Sequence, residues 1–205
     1  MTGSLFIISA PSGAGKTSLV TKLIEKDQLI QVSVSSTTRP KRPGEEDGIN
    51  YHFLTLDAFE SKVAEQDFLE HAKVFDHYYG TSKSSVEKQL KDGKDVILEI
   101  DWQGAQQVRQ LIPEAISIFI LPPSLRALEQ RLKSRATDSD EVIARRMQDA
   151  VSEMQHYKEF DYLVINNVFD IALEALHTIF LADRQTLNRQ YSQHQVLINE
   201  LTQPN

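Results

Sequence analysis

Leu5-Phe6-Ile7-Ile8-Ser9-Ala10-Pro11-Ser12-Gly13-Ala14-Gly15-Lys16-Thr17 is the stretch whose reading decides the fold. Residues 5–9 form an apolar run suited to a buried parallel strand, and the helix opening at Thr17 places apolar side chains at Leu19, Leu23 and Ile24. Between them, Ala10-Pro11-Ser12-Gly13-Ala14-Gly15-Lys16-Thr17 lies one residue short of G-x-x-x-x-G-K-[ST], the loop that cradles nucleotide phosphates. Gly13 and Gly15 let successive N–H groups turn inward, and the positive end of the helix dipole faces the same anion. Lys16 is then placed to reach β- and γ-phosphates, and the Thr17 hydroxyl to hold Mg²⁺. Ala10 stands where the pattern has its first glycine, which is sterically acceptable unless that residue requires a positive φ. A nucleoside triphosphate is the expected ligand.

Further apolar runs at 31–35, 96–100, 115–121 and 162–166 are separated by segments of helical period, so the fold class is α/β, a parallel sheet covered by helices. Residues 36–90 break that rhythm. Short strand-like pieces at 51–55, 68–75 and 78–80, with turn chemistry at Pro43-Gly44 and Asp47-Gly48, predict an inserted, mostly β subdomain. Capping boxes are expected at Ser84 with Glu87 and at Asp138 with Glu141. Residues 136–139, between two Arg-bearing helices, read as a hinge or lid; the helix after them carries Val142, Ile143, Met147, Ala150, Val151 and Met154 as a core stripe. Beyond Asp170 the chain reads as helical. The whole is expected to be one domain over 1–205, with its core in 1–35, 91–130 and 150–185, the insertion at 36–90, the lid at about 131–146 and a helical tail at 186–205.

Composition narrows the function. The chain has 40% hydrophobic and 25% charged residues, ordinary for a globule, and no cysteine, which removes disulfide, thiolate and zinc-thiolate chemistry. The histidines (52, 71, 77, 156, 177 and 194) form no H-x-x-x-H pair, so any metal should arrive with the nucleotide. A net charge of -7 argues against a broad nucleic-acid surface. No apolar stretch approaches the roughly 20 residues of a membrane span, and no signal-peptide pattern opens the chain, so no membrane association and a cytoplasmic location are expected.

Basic side chains cluster in two places. Arg39, Lys41 and Arg42 sit among hydroxyls and prolines in 35–45, a second anion site in which guanidinium forks can hold phosphate bidentately. Arg131 and Arg135 share one helix face, with no acid four residues away, and Arg146 follows.

The chain resembles the guanylate kinase family, P-loop nucleoside monophosphate kinases that transfer the γ-phosphoryl of ATP to GMP. The resemblance runs from Phe6 to about Asn167 through Ser33-Val34-Ser35-Ser36-Thr37-Thr38-Arg39, Arg42, Gly44-Glu45, Tyr51, Phe68-Leu69-Glu70, Tyr78-Tyr79-Gly80-Thr81, Ile100-Asp101-Trp102-Gln103-Gly104 and Pro122-Pro123-Ser124. It implies ATP and GMP as partners, with dGMP left open, and Mg²⁺ with the ATP. It places ATP on residues 10–17 and the GMP phosphate on Arg39, Arg42, Tyr51 and Tyr79. Glu70 and Asp101 would take guanine's N1–H and N2–H₂ donors, with Ser35 and Thr81 on the remaining edge. Lys16, Arg39, Arg131, Arg135 and Arg146 would be the catalytic cations. Glu99 stands where the family commonly has Asp, so either Glu99 or Asp101 would serve Mg²⁺ through water. A phosphopeptide-binding relative without catalysis usually lacks the working P-loop, and a kinase for another base would not want Glu70 and Asp101.

In the tail, Leu187, Tyr191, His194, Ile198 and Leu201 recur at spacings of 4, 3, 4 and 3, the seam of a short coiled coil. A homo-oligomer contact through this helix, or its folding back on its own domain, are the two expectations.

Overall fold

A computed structural model describes residues 3–74, 76–134 and 140–203. In chain order, β1 (Leu5–Ser9) leads through the P-loop into α1 (Lys16–Lys26) and β2 (Ile30–Val32). Next come β3 (Ser36–Thr37), β4 (His52–Phe53), α2 (Leu56–Ala64), β5 (Phe68–Val74), β6 (His77–Ser82) and α3 (Lys83–Lys91). Then follow β7 (Asp95–Glu99), α4 (Trp102–Leu111), β8 (Ile116–Leu121), α5 (Leu125–Lys133), α6 (Asp140–Met154) and a 3₁₀ turn at Gln155–Glu159. β9 (Tyr162–Ile165), α7 (Phe169–Arg184) and α8 (Leu187–Thr202) complete the chain.

The main sheet is parallel, in the order β2-β7-β1-β8-β9. β1 lies at its centre and is buried at every residue, because both faces are covered. Phe6 and Ile8 pack on one side with Leu19, Val20 and Leu23 of α1 and Leu176 and Phe180 of α7, the rings of Phe6 and Phe180 stacked at 3.8 Å. Leu5 and Ile7 pack on the other with Val86 of α3 and Ala105 and Val108 of α4. A second sheet, β4-β3-β6-β5, forms the insertion.

Four of the main-sheet strands lie within a residue of their expected places. The run at 31–35 does not hold as one strand: β2 ends at Val32 and β3 opens the second sheet at Ser36, so the chain changes sheets inside it. The insertion also contains a helix, α2, capped by Thr55, whose hydroxyl oxygen accepts from the Ala58 N–H at 3.3 Å. α3 starts two residues earlier than the Ser84 box implies; its cap is Ser82, accepting from the Ser85 N–H. The box at Asp138 lies outside the described residues, as does the proposed hinge at 136–139. On α6, Ile143 and Ala150 are buried against Leu128 and Leu132 of α5 with Met147 and Met154 beside them, whereas Val142 and Val151 are exposed and leave the expected stripe.

The tail is anchored by charge rather than by its apolar residues. Arg189 of α8 donates to Asp95 (2.8 Å), Asp183 (2.6 Å) and the Ser4 hydroxyl (3.1 Å), and Arg184 of α7 donates to Asp95 (2.7 Å) and Asp27 (2.6 Å). Burial works against the charge of Asp27, yet hydrogen bonds from Arg184 and His177 outweigh it and hold that carboxyl at about 2. The expected seam is interrupted at its middle residue: His194 has φ -117° and ψ 23°, outside helical geometry, so the two halves of α8 do not present one continuous stripe.

On the opposite side of the molecule, the Trp102 indole at the start of α4 stacks on the His156 imidazole, 3.6 Å apart and 6° from parallel. Nδ1 of that imidazole lies 2.6 Å from Glu159, which also accepts from Gln106 at 2.8 Å, so α4 is fastened to the turn after α6.

Candidate active site

The loops leaving the carboxyl ends of parallel strands are where an α/β sheet collects ligands, and here β1, β7 and β9 each deliver a functional segment to that edge. Gly13 and Gly15 of the P-loop have φ of 89° and 94°, which only glycine adopts without strain, while Ala10 is not among the residues with positive φ. The missing first glycine therefore costs the loop nothing in backbone conformation. The Ala14 N–H donates to the Pro11 carbonyl at 3.1 Å, closing the turn.

The loop is held from outside by two side chains. Arg131 of α5 donates to the Ala14 carbonyl at 3.2 Å and to the Asn166 carbonyl at 3.0 Å, and the Asn166 side chain donates to Ala14 at 2.8 Å. These bonds tie the Ala14 carbonyl to α5 and to the segment after β9. Asn166 carries no motif of its own and escapes sequence reading.

A cavity of about 340 Å³ runs from the P-loop to the second sheet, lined by Lys16 and Thr17 at one end, Ser35, Tyr51, Glu70 and Tyr79 at the other, and Glu99, Asp101 and Glu153 between them. Lys16 donates to the Ile100 carbonyl at 3.4 Å, and burial pulls its ammonium below the ordinary value while Glu99, Asp101, Glu153 and Glu70 push back. The Thr17 hydroxyl lies 3.3 Å from the Glu99 carboxylate. Asp101 is committed differently: its Oδ1 accepts from the Gly104 N–H at 2.8 Å and caps α4. Of these two acids, Glu99 therefore stands beside the P-loop hydroxyl and Asp101 at the start of α4.

At the far wall, the β5–β6 register shifts between Phe68 and Glu70, so Leu69 and Glu70 are both buried instead of alternating. Leu69 joins the core under α4, and Glu70, only 4% exposed, lines the cavity. The Thr81 hydroxyl donates to Glu70 at 2.6 Å; with its proton so committed, Thr81 accepts from Ser35 at 3.2 Å. Burial pushes the Glu70 carboxyl up to about 7; Thr81 and Lys16 oppose the rise, and Asp101 adds to it.

The phosphate-class cluster assembles in part. Arg39 is nearly buried, paired bidentately with Glu45 (2.7 and 3.0 Å), and lies over the Tyr51 ring at 5.4 Å. Glu45 holds the guanidinium in its charged form, burial opposes this, and a hydrogen bond to Tyr79 adds to it. Tyr51 and Tyr79 meet edge to face at 5.9 Å, and burial raises the Tyr51 phenol above its usual value. Arg42 is exposed; its backbone N–H donates to Glu45 at 2.8 Å, and it is not among the residues lining the cavity. Arg146 is half-buried on α6, and Arg135 lies outside the described residues. Two turns beyond Arg146, the half-buried Glu153 enters the cavity facing the Ser12 N–H; burial raises its carboxyl, and Asp101 adds to that. Sequence reading passes over Glu153, which lies inside an apolar stripe.

Known proteins resemble this chain in sequence and in fold. Residues 2–183 match the family described as guanylate kinase. A guanylate kinase of Hydrogenovibrio crunogenus is 73% identical over 203 residues, covering 99% of both chains. One of Alkalilimnicola ehrlichii is 58% identical, covering 93% of this chain and 94% of that one. The crystal structure of guanylate kinase from Anaplasma phagocytophilum superposes with a TM-score of 0.77 at 29% identity, over 92% of this chain and 89% of that one. Motif, cavity and family match thus converge, and the chain belongs to the guanylate kinase family.

Proposed function

We propose that the protein transfers the γ-phosphoryl group of ATP to GMP, giving ADP and GDP. The observation that carries this reading is the single cavity joining the P-loop to the Ser35–Thr81–Glu70 wall. The triphosphate lies on residues 10–17, with Lys16 toward its β- and γ-phosphates. Guanine meets the far wall, where the carboxylates of Glu70 and Asp101 accept from N1–H and N2–H₂ and the Ser35–Thr81 pair serves the remaining edge. Adenine presents an acceptor at N1, leaving a buried carboxylate unpaired. Arg39, Tyr51 and Tyr79 take the GMP phosphate, with Arg42 joining from the surface.

The GMP phosphate oxygen is already ionised, so no side chain acts as base. It attacks the γ-phosphorus in line; the new P–O bond forms as the bond to the β,γ-bridging oxygen breaks, and ADP carries the electron pair away. Catalysis is alignment and cationic stabilisation of the equatorial oxygens by Lys16, Arg39, Arg135 and Arg146, joined by Arg131 once its guanidinium leaves the Ala14 and Asn166 carbonyls to which it donates. The oxygen donors of Thr17 and Glu99, 3.3 Å apart, suit a hard cation that keeps several waters, and would hold Mg²⁺ beside the triphosphate. That ion supplies charge neutralisation to the phosphates when bound. Residues 131–146 are assigned as a lid that excludes water from the cavity.

A coupled assay of ADP release, with GMP, AMP, UMP and dTMP as acceptors, tests the reading. Turnover with GMP well above the others is expected; binding of GMP without turnover would favour the interaction-module alternative, and equal turnover with another base would remove the guanine assignment.

A further inference from the structure

We infer that Gly104 is a positioning residue for guanine recognition, its missing side chain leaving the room in which the Glu70 carboxylate stands. The inference rests on the reading of Glu70 and Asp101 as guanine ligands and adds the residue that places them.

Gly104 is the third residue of α4 and is buried. It is not among the glycines with positive φ, so no turn or left-handed conformation accounts for it, and alanine would favour the helix more. The surroundings give another reason. A Cβ built on Gly104 would stand 2.8 Å from Glu70 Oε2 and 3.3 Å from the Ile100 Cβ. Glu70 has little freedom to retreat, because Thr81 holds its other oxygen at 2.6 Å and the bulge between Phe68 and Glu70 fixes its backbone. A methyl group at position 104 would therefore displace the oxygen that faces α4.

The same residue governs the second acid. Its N–H donates to Asp101 Oδ1 at 2.8 Å. Alanine retains that N–H, so Gly104→Ala shifts Glu70 while leaving the Asp101 cap in place. The glycine accordingly sets the spacing between the two carboxylates that face the base.

Gly104→Ala, Glu70→Gln and Glu70→Asp, with the Glu70→Asp/Gly104→Ala double variant, should be compared for KM with GMP, with inosine monophosphate, which lacks the N2 amine, and with ATP, alongside thermal unfolding. Gly104→Ala is expected to raise the KM for GMP by about tenfold or more, shrink the preference for GMP over inosine monophosphate, and leave the KM for ATP and Tm near wild type. Because aspartate is one methylene shorter, adding the methyl to Glu70→Asp should cost much less than adding it to the wild type. A normal KM for GMP in Gly104→Ala, with Glu70→Gln impaired, would overturn the inference alone. Normal values in both would remove Glu70 from the base site and the inference with it. Should Gly104→Ala fail to fold, recovery in the double variant would support the steric account; no recovery would overturn it.

Discussion

The side-chain amide of Asn166 donates to the carbonyl of Ala14, 152 residues earlier, at 2.8 Å and with Asn166 only 4% exposed. This bond fixes which way the P-loop peptide faces, and it leaves little space: a Cβ on Gly15 would come within 2.5 Å of the same nitrogen. Asn166→Ala should destabilise the fold by about 1–3 kcal/mol, the cost of an unpaired buried carbonyl, offset in part by Arg131 on the same oxygen. The KM for ATP should rise with the KM for GMP unchanged; steady-state kinetics and chemical denaturation give both numbers.

Lys16→Met should abolish transfer while GMP still binds, since in the proposed mechanism the ammonium serves the migrating phosphoryl group and not the GMP. Calorimetric titration with GMP, together with the ADP-release assay, reads both halves. Full turnover would remove the lysine from the mechanism.

On the proposed reading, Glu70 should make guanine binding depend on pH near neutrality. The folded protein holds this carboxyl at about 7, against an ordinary 4.5. A raised pKa means that its favourable contribution to folding is complete below pH 4.5 and is lost as pH rises through 7, a loss on the order of 3 kcal/mol. The charged form that is costly to bury is the one proposed to accept from guanine, so affinity for GMP should weaken as pH falls from 8 to 6. Glu70→Gln shares the titration of the GMP phosphate but not that of the carboxyl, so the difference between the two pH profiles isolates the residue. Parallel profiles would refute the assignment.

Glu153 places negative charge beside Ser12, where a triphosphate should lie. Glu153→Gln should lower the KM for ATP about fivefold, corresponding to roughly 1 kcal/mol for a half-buried repulsion, with the KM for GMP changing less. An increase in the KM for ATP would show that the carboxylate instead supports the loop.

Arg189→Ala removes one of two arginines from Asp95, which is only 1% exposed. Arg184 remains, so the loss should be about 1–3 kcal/mol, visible as a lower Tm, with activity at 25 °C intact. Removing residues 186–205 should do the same and, if α8 joins subunits, lower the mass seen in sedimentation; an unchanged mass would make the tail an internal brace only.

The sequence is most readable where a local rule has a single outcome. An apolar run followed by Gly13, Gly15, Lys16 and Thr17 forces strand, anion loop and helix in order, and Glu70 inside an apolar strand demands a partner wherever it lies. What escapes is set by distance or by small backbone choices. Asn166 and Ala14 meet only after β8 and β9 have joined β1 in the sheet. The bulge that turns Glu70 inward beside Leu69 has no glycine or proline to announce it. Ser82 and Ser84 are both competent caps, and their choice depends on where β6 stops pairing. Glu153 reads as a solvated residue because its neighbours Ala150 and Met154 advertise a core face. The heptad spacing of the tail says nothing of the break at His194.

The stack of Trp102 on His156 has a practical consequence. The chain contains one tryptophan, so its entire indole emission originates next to Asp101, at the contact between α4 and the turn that follows α6. Any movement of α6 that slides the imidazole off the indole would change that emission without an added dye, and the molecule therefore carries its own optical gauge of how the end of α6 sits on α4.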